Sequence, residues 1–477
     1  MKAFRWAKGA ARLMGIDQAV AFTLAGNLWN VVTAPLLLVL VVSRVDVAER
    51  GLLFNFISIC QVQLIFALGV GTVIQQLTSR ERAFLSFQPD GTLEGDPYAK
   101  ARLAALFRIG LLWFFGLAFV AHLILLPAGW WFFETSPGTE SISWQIAWGL
   151  TITVAVADAA VNNLSLFLSG CGQVTEVARL TAAKQVVMTT ALMLGLFWGG
   201  RLLAHPISGF AGFVLCTGWL IVARRRLLLD LWRFPKKGVP FGWWTHVWPL
   251  QWRVSISWLS TMAVMHGLNP ATLFWKGAQE AGRVGLSMYI LLTIHTMGWG
   301  WIATRIPVFG NLAAQKRWNE LMHVFRGVVW RSTLFILILG GLLTFASAAI
   351  YHSGDTIPGI AQWIKENGLA PPSLDPPQTE LPNAPILSPL PWALLVLAVA
   401  SLHLFLARAA LIRAHGHDAL LPVALALAIS VCGALVVVGD YGSTETMIAA
   451  YALCIMVVTL GLGTWVTRRA LQEWHQS

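Results

Sequence analysis

The stretch QIAWGLTITVAVADAAVNNLSLFLS, residues 145–169, carries one charged side chain, Asp158, in a run long enough to cross a bilayer. As a helix rising 1.5 Å per residue it reaches about 37 Å, against roughly 30 Å of hydrocarbon. Thr151, Asp158, Asn162, Ser165 and Ser169 recur in it at helical spacing. One face must therefore look toward protein or water while the remainder meets lipid. Runs of the same kind recur from Ala19 to Val466, whereas a membrane β-barrel would show short alternating segments.

Composition agrees. Of 477 residues, 57% are hydrophobic and 12% charged, which excludes an ordinary soluble domain. The first apolar run follows a basic leader (Lys2, Arg5, Lys8, Arg12). It is too long for a signal-peptide core and has no small-residue cleavage site, so a retained first helix is expected. Cys60, Cys171, Cys216, Cys432 and Cys454 show no metal-site or disulfide spacing and read as packing residues. The net charge of +11 is spread over short interhelical loops, which points to membrane topology and not to nucleic-acid binding.

Hydropathy predicts an all-α polytopic membrane protein with about twelve transmembrane helices. The first six are 19–42, 51–76, 107–132, 145–169, 177–199 and 207–223, and the second six 247–272, 285–304, 327–350, 391–412, 421–438 and 447–466. The domains expected are a first lobe over 1–223, a basic interfacial connector over 224–246 suited to a lipid surface, and a second lobe over 247–477. With both termini cytoplasmic, the exterior loops hold only Arg44, Arg50, Arg201, Lys276, Arg283 and Lys365 of the 33 Lys and Arg residues. That satisfies the positive-inside rule. The longest exterior segment, 351–389, is Pro-rich and is read either as a solvated connector or as a cap over the outer mouth. His415 and His417 lie on an interhelical turn and read as solvated loop residues, with no metal site expected.

A weak internal repeat links Ala34-Pro35 and Val47–Gly51, opening helix two, with Asn269-Pro270 and Glu280–Gly285, opening helix eight. Both halves place a proline late in their first helix, and paired halves with interrupted helices point to a transporter with a substrate cavity between them.

Ionisable groups within spans are costly and mark functional candidates. Asp158 and Lys184 lie at equal sequence distance on either side of Cys171, so a short turn there sets them at one depth and predicts that they pair. Two readings stand: a neutralised structural clamp, or an ion-coupling relay taking H+ or Na+. Arg253, beside Gln251 and Trp252, is the arginine best placed for a phosphate-bearing headgroup. Asn27, Asn30, Gln61, Gln63 and Asn162 supply uncharged groups for sugar hydroxyls, with interhelical hydrogen bonding as the competing role. Arg108, Arg305, Arg331 and Arg408, nearer helix ends, are expected to snorkel to the interface. His122, His266, His295 and His403 share no metal-site spacing and read as core histidines, and the 24 tryptophans read mainly as interfacial belt.

The runs Arg50–Phe56 and Ala67–Gly71, the segment Ser79–Ala83, and in the second half Trp248–Arg253, Ala281–Ser287 and Ile306–Phe309 resemble Wzx-type polysaccharide flippases. These belong to the multidrug/oligosaccharidyl-lipid/polysaccharide exporter (MOP) superfamily. The resemblance implies two six-helix bundles around a central cavity, in a bacterial inner membrane, that flip a polyprenyl-pyrophosphate-linked glycan by alternating access. It also implies polysaccharide polymerases or other assembly proteins as partners, no nucleic acid and no catalytic chemistry. No P-loop of the Gly-x4-Gly-Lys-Ser/Thr kind is present in the sequence, so ATP drive by this chain is not expected. The competing readings are a drug antiporter of the same fold, a glycosyltransferase, ligase or polymerase acting on lipid-linked sugars, and an ion-independent scramblase or scaffold.

Overall fold

The computed structural model describes residues 18–67, 70–82, 84–88, 91–235, 248–353, 387–415 and 419–476. The first helices are α1 (Gln18–Arg44), α2 (Val47–Ala67) and α3 (Val70–Arg82), followed by a hairpin of β1 (Leu85–Phe87) and β2 (Leu93–Gly95). Then come α4 (Pro97–Thr135), α5 (Gln145–Gly170), α6 (Val174–Phe197), α7 (Ala204–Ala223) and the short α8 (Arg225–Arg233). The second half holds α9 (Trp248–His266), α10 (Leu268–Ala303), α11 (Ile306–Ala314), α12 (Trp318–Ser353) and α13 (Pro389–Ala414). It closes with α14 (Leu421–Tyr441), α15 (Thr444–Met456), a π-helical stretch at Val457–Leu462 and α16 (Gly463–Gln476).

This is an all-α polytopic membrane protein. Among the described residues nine helices are long and apolar enough to cross a membrane. The described parts of the three other expected spans, 51–76, 247–272 and 285–304, are also helical, in α2 with α3, in α9 with the start of α10, and in α10. The chain packs as two compact helical units. The first takes 18–40, 60–131 and 143–255, and the second 41–59, 132–142 and 256 onward.

Three local features depart from the sequence reading. The expected loop over 273–284 is a single joint: Gly277 has φ +85, the only non-helical residue within α10. The neighbouring Ala278 N–H is held by the Pro137 carbonyl at 3.0 Å. Lys276 and Arg283 are consequently helical, not loop, residues. Pro270 is not late in a helix either. The chain bends at Gly267, and Pro270 is the third residue of α10, where its missing N–H has no helical acceptor to lose, whereas α1 runs on through Pro35. The hairpin was not foreseen, because its strands are three residues each, too short to show a period.

That hairpin belongs to a polar clasp in the first unit. Arg82 donates to the Leu85 carbonyl and, at 3.0 Å, to the Cys171 carbonyl. Arg102 pairs with Glu81 and Lys100 with Asp230 of α8. Arg108, expected at the interface, instead gives its guanidinium to the Leu231, Trp232 and Phe234 carbonyls, holding the end of α8. Within the connector, α8 buries Leu227 and Leu231 and exposes Arg225, Arg226 and Arg233. Residues 236–246 of the connector, Val247, most of the 351–389 loop, and Gly416, His417 and Asp418 lie outside the described residues.

In the second unit α2 and α10 cross at glycines. A Cβ at Gly51 would press on the Ala278 carbonyl and stand 3.1 Å from the Gly282 nitrogen. One at Gly282 would press on the Val47 carbonyl, and one at Gly285 would meet Phe54 at 2.6 Å. The two segments of the internal repeat are thus packed against one another. Small residues allow such backbone approach and the dispersion contact that comes with it. Gly51→Val is expected to lower the thermal midpoint of the detergent-solubilised protein, by about 1–3 kcal/mol of overpacking or more. Gly341→Ala, into open space, is the matched control, and equal midpoints for both variants would refute the crossing.

Candidate functional site

The α5–α6 hairpin turns at Cys171–Gln173, where Gly172 takes φ +89, a conformation that favours glycine. Two antiparallel helices leaving one tight turn bring equidistant residues to one level. Lys184 Nζ lies 2.6 Å from both carboxylate oxygens of Asp158, and the side chains keep 16% and 23% of their exposure. The pairing expected from sequence is present as a two-oxygen clasp. α7 closes over it at Gly212, where a Cβ would stand 2.6 Å from Met188 Cγ and 3.3 Å from Lys184 Cε. Cys216, one turn further, is buried.

The rest of the α6 stripe divides. Thr181 satisfies itself on the Val177 carbonyl at 2.9 Å. Thr189 donates to Asn30 Oδ1 at 3.4 Å, and Gln185 lies against Gly26 of α1. Asn30 thereby enters the same neighbourhood as the ion pair, and Asn27 is half-buried on the same helix. Asn162 is exposed, while its neighbour Asn163 bonds back to the Ala159 carbonyl at 3.1 Å. Thr151 and Ser169 are buried, and Ser165 donates to the Val161 carbonyl. Trp252 is partly exposed. The side chains of Gln61, Gln63, Gln251 and Arg253 lie outside the described residues.

The second unit holds its own polar groups. Glu280 and Arg283 pair at 2.9 Å on successive turns of α10. Asn269 has both amide atoms buried without a hydrogen-bond partner, beside Gly285. Arg408, expected to snorkel, donates instead to the Thr459 carbonyl at 3.1 Å. That carbonyl belongs to the π-helical stretch, whose wider winding disturbs the usual i to i−4 pairing. Sequence reasoning passed over one cluster. His295 of α10 and His403 of α13 meet with ring centroids 5.3 Å apart, and Ser332 of α12 is 2.8 Å from His403 Nε2. The two histidines are too far apart in sequence for spacing to announce them.

No protein-family model matches the chain, and no curated protein sequence matches it significantly. Solved structures share its fold. An inward-facing MATE-family multidrug-resistance transporter of the MOP superfamily aligns over 96% of both chains, with a TM-score of 0.65 at 15% identity. An outward-facing MATE-family transporter aligns over 95% of this chain and 96% of its own, with a TM-score of 0.54 and 15% identity. A MOP superfamily transporter from Pyrococcus furiosus aligns over 97% and 94%, with a TM-score of 0.53 and 14% identity. For that protein a reversed polarity of the binding pocket suggests a different function.

Breaking a mostly buried ion pair strands its partner. Lys184→Met or Asp158→Asn alone is expected to lower stability by about 1–3 kcal/mol, and the double variant to recover much of that loss. Thermal midpoints of all four proteins test this, and strictly additive losses would show the two side chains to be uncoupled.

Proposed function

We propose that this chain is a flippase that moves a polyprenyl-pyrophosphate-linked oligosaccharide from the cytoplasmic to the outer leaflet of a bacterial inner membrane. The motion is alternating access, serving surface polysaccharide assembly. The fold, shared with proteins solved in inward-facing and outward-facing forms, supports a transporter that changes access. The charge state of the first unit supports an anionic cargo. Among its described residues Asp158 is the one carboxylate set well away from a helix end, and Lys184 clasps both its oxygens. A pocket built for cationic drugs needs uncompensated negative charge, and this clasp removes it. The net charge of +11 runs the same way.

The headgroup is then held by arginine, with Arg253 as first candidate beside Gln251 and Trp252, because a guanidinium offers phosphate a planar fork of donors. Asn27, Asn30, Gln61, Gln63 and Asn162 serve the sugars. The Asp158–Lys184 pair couples transport to H+ or Na+ by opening and closing with access. A drug antiporter is the second reading, favoured by the multidrug transporters among the structural neighbours. The clasped carboxylate weighs against it.

Reconstitution in vesicles with a fluorescent polyprenyl-pyrophosphate sugar separates these readings. The expected result is translocation without covalent change, lowered roughly tenfold or more by Arg253→Gln, the loss of about 1.4 kcal/mol of headgroup binding. Asp158→Asn is expected to remove the dependence on an imposed ion gradient. Uptake of a cationic dye without movement of the lipid-linked sugar would favour the antiporter, and chain joining would favour an enzyme.

A further inference from the structure

The acidic side chains around the β1–β2 hairpin, the start of α6 and α8 each have a partner. Glu81 pairs with Arg102 at 2.8 Å, Asp230 with Lys100 at 2.9 Å and Glu176 with Arg224 at 3.7 Å. Glu94 accepts from Gln88 at 2.9 Å, and Asp96 accepts the Tyr98 and Ala99 N–H groups at the start of α4. Arg82 and Arg108 are given to carbonyls, and Arg224 also lies over the Trp219 ring at 4.8 Å. Among the described residues at this end, the cations left without any such partner are Arg179 of α6 and Arg225, Arg226 and Arg233 of α8, all exposed.

The three arginines of α8 share a face. At about 100° per residue, Leu227, Leu231 and Asp230 lie on one side of the helix, where the leucines enter the core and Asp230 meets Lys100. Arg225, Arg226, Leu229, Trp232 and Arg233 fall within roughly 120° on the other side. Trp232 is 50% exposed there, and no acid stands among them. The depth of this face is set by α7. The candidate span over 201–223 ends with Ile221 and Val222, 60% and 85% exposed, and Arg225 follows three residues after Val222. A lipid-facing span that stops there leaves the next helix at the headgroup layer, where tryptophan rings and arginine side chains both settle.

We propose that the free face of α8 is a binding site for anionic phospholipids of the leaflet in which α7 ends. Each guanidinium offers phosphate oxygens a planar fork of donors, and three uncompensated positive charges select headgroups of net negative charge over zwitterionic ones. The Trp232 ring suits the boundary between headgroups and acyl chains. A soluble acidic partner fits less well, because lipid phosphates already surround a face at this level. The clasp presents the site on a fixed support. Arg108 holds the carbonyls at the end of α8 and Lys100 holds Asp230, so binding has little backbone left to order. The site stands on charge and packing and does not depend on the transport reading.

Amide hydrogen–deuterium exchange of the full-length protein, in nanodiscs of phosphatidylcholine alone or mixed with phosphatidylglycerol, reads α8 without requiring any transport. Phosphatidylglycerol is expected to slow exchange over 225–233 about tenfold, because a ligand bound to the folded helix opposes its opening. Salt at about 1 M, which screens charges beyond about 3 Å, is expected to remove the slowing. The triple variant Arg225→Gln, Arg226→Gln, Arg233→Gln is expected to remove it too, while exchanging like the unaltered protein in phosphatidylcholine, since none of the three supports the packing of α8. Should the triple variant fail to fold, Arg226→Gln and Arg233→Gln made singly are each expected to lose part of the slowing, and full slowing in both would overturn the proposal. So would equal exchange in the two lipids, slowing that survives the triple variant, or equal slowing by inorganic phosphate added to phosphatidylcholine discs.

Discussion

Hydrocarbon offers no hydrogen bonds, and the polar side chains of this protein are arranged around that fact. The serine and threonine hydroxyls inside the spans mostly return to carbonyls of their own helix, as Thr181, Ser165, Thr272 and Thr344 do. Asp158 and Lys184 neutralise one another, Glu280 and Arg283 do the same, and Arg408 finds a carbonyl freed by irregular winding. An uncompensated charge at such depth would cost several kcal/mol by insertion measurements, so few arrangements of these residues are tolerable. The α5–α6 hairpin is one, because a tight turn leaves Asp158 nowhere else to look.

Close backbone packing supplies the complementary attraction. Lipid tails are as apolar as leucine, so helices gain little by hiding apolar surface from lipid. What remains is contact, and glycine permits it. Gly51, Gly282 and Gly285 bring α2 and α10 together tightly enough that any side chain there would strike backbone or an aromatic ring. The Gly277 joint, tied through Ala278 to Pro137, fixes where the second of these helices is broken.

Much of the fold was legible because its determinants are local. Each of the twelve apolar runs falls on helical chain where it is described, nine of them on helices long and apolar enough to cross a membrane, since length and hydropathy are properties of contiguous sequence. The Asp158–Lys184 contact was legible for a related reason: one short turn makes distance along the chain a measure of depth. The repeat around Gly51 and Gly282 was visible as a likeness, though nothing in it said that the two copies would touch. What stayed hidden was long-range or very short. His295, Ser332 and His403 come from three helices, and no periodicity within any one of them marks the meeting. Three-residue strands and a one-residue joint at Gly277 fall below the window in which a pattern can be seen. Arginine destinations were misjudged at Arg108 and Arg408, because the acceptors that hold them are backbone carbonyls of distant segments, which carry no sequence signature.

The π-helical stretch at Val457–Leu462 has a directional effect on everything after it. Each residue of an α-helix turns the chain by about 100°, and a wide turn amounts to one residue more than the α pattern needs. Whatever follows is rotated by that angle about the common axis. Trp474, which packs on His415 at 5.1 Å between ring centroids, points where it does because of this offset. Removing one residue from the stretch would shorten the chain by a mere 0.2% of its 477 positions. It would also swing Trp474 of the final helix about a quarter turn away from His415.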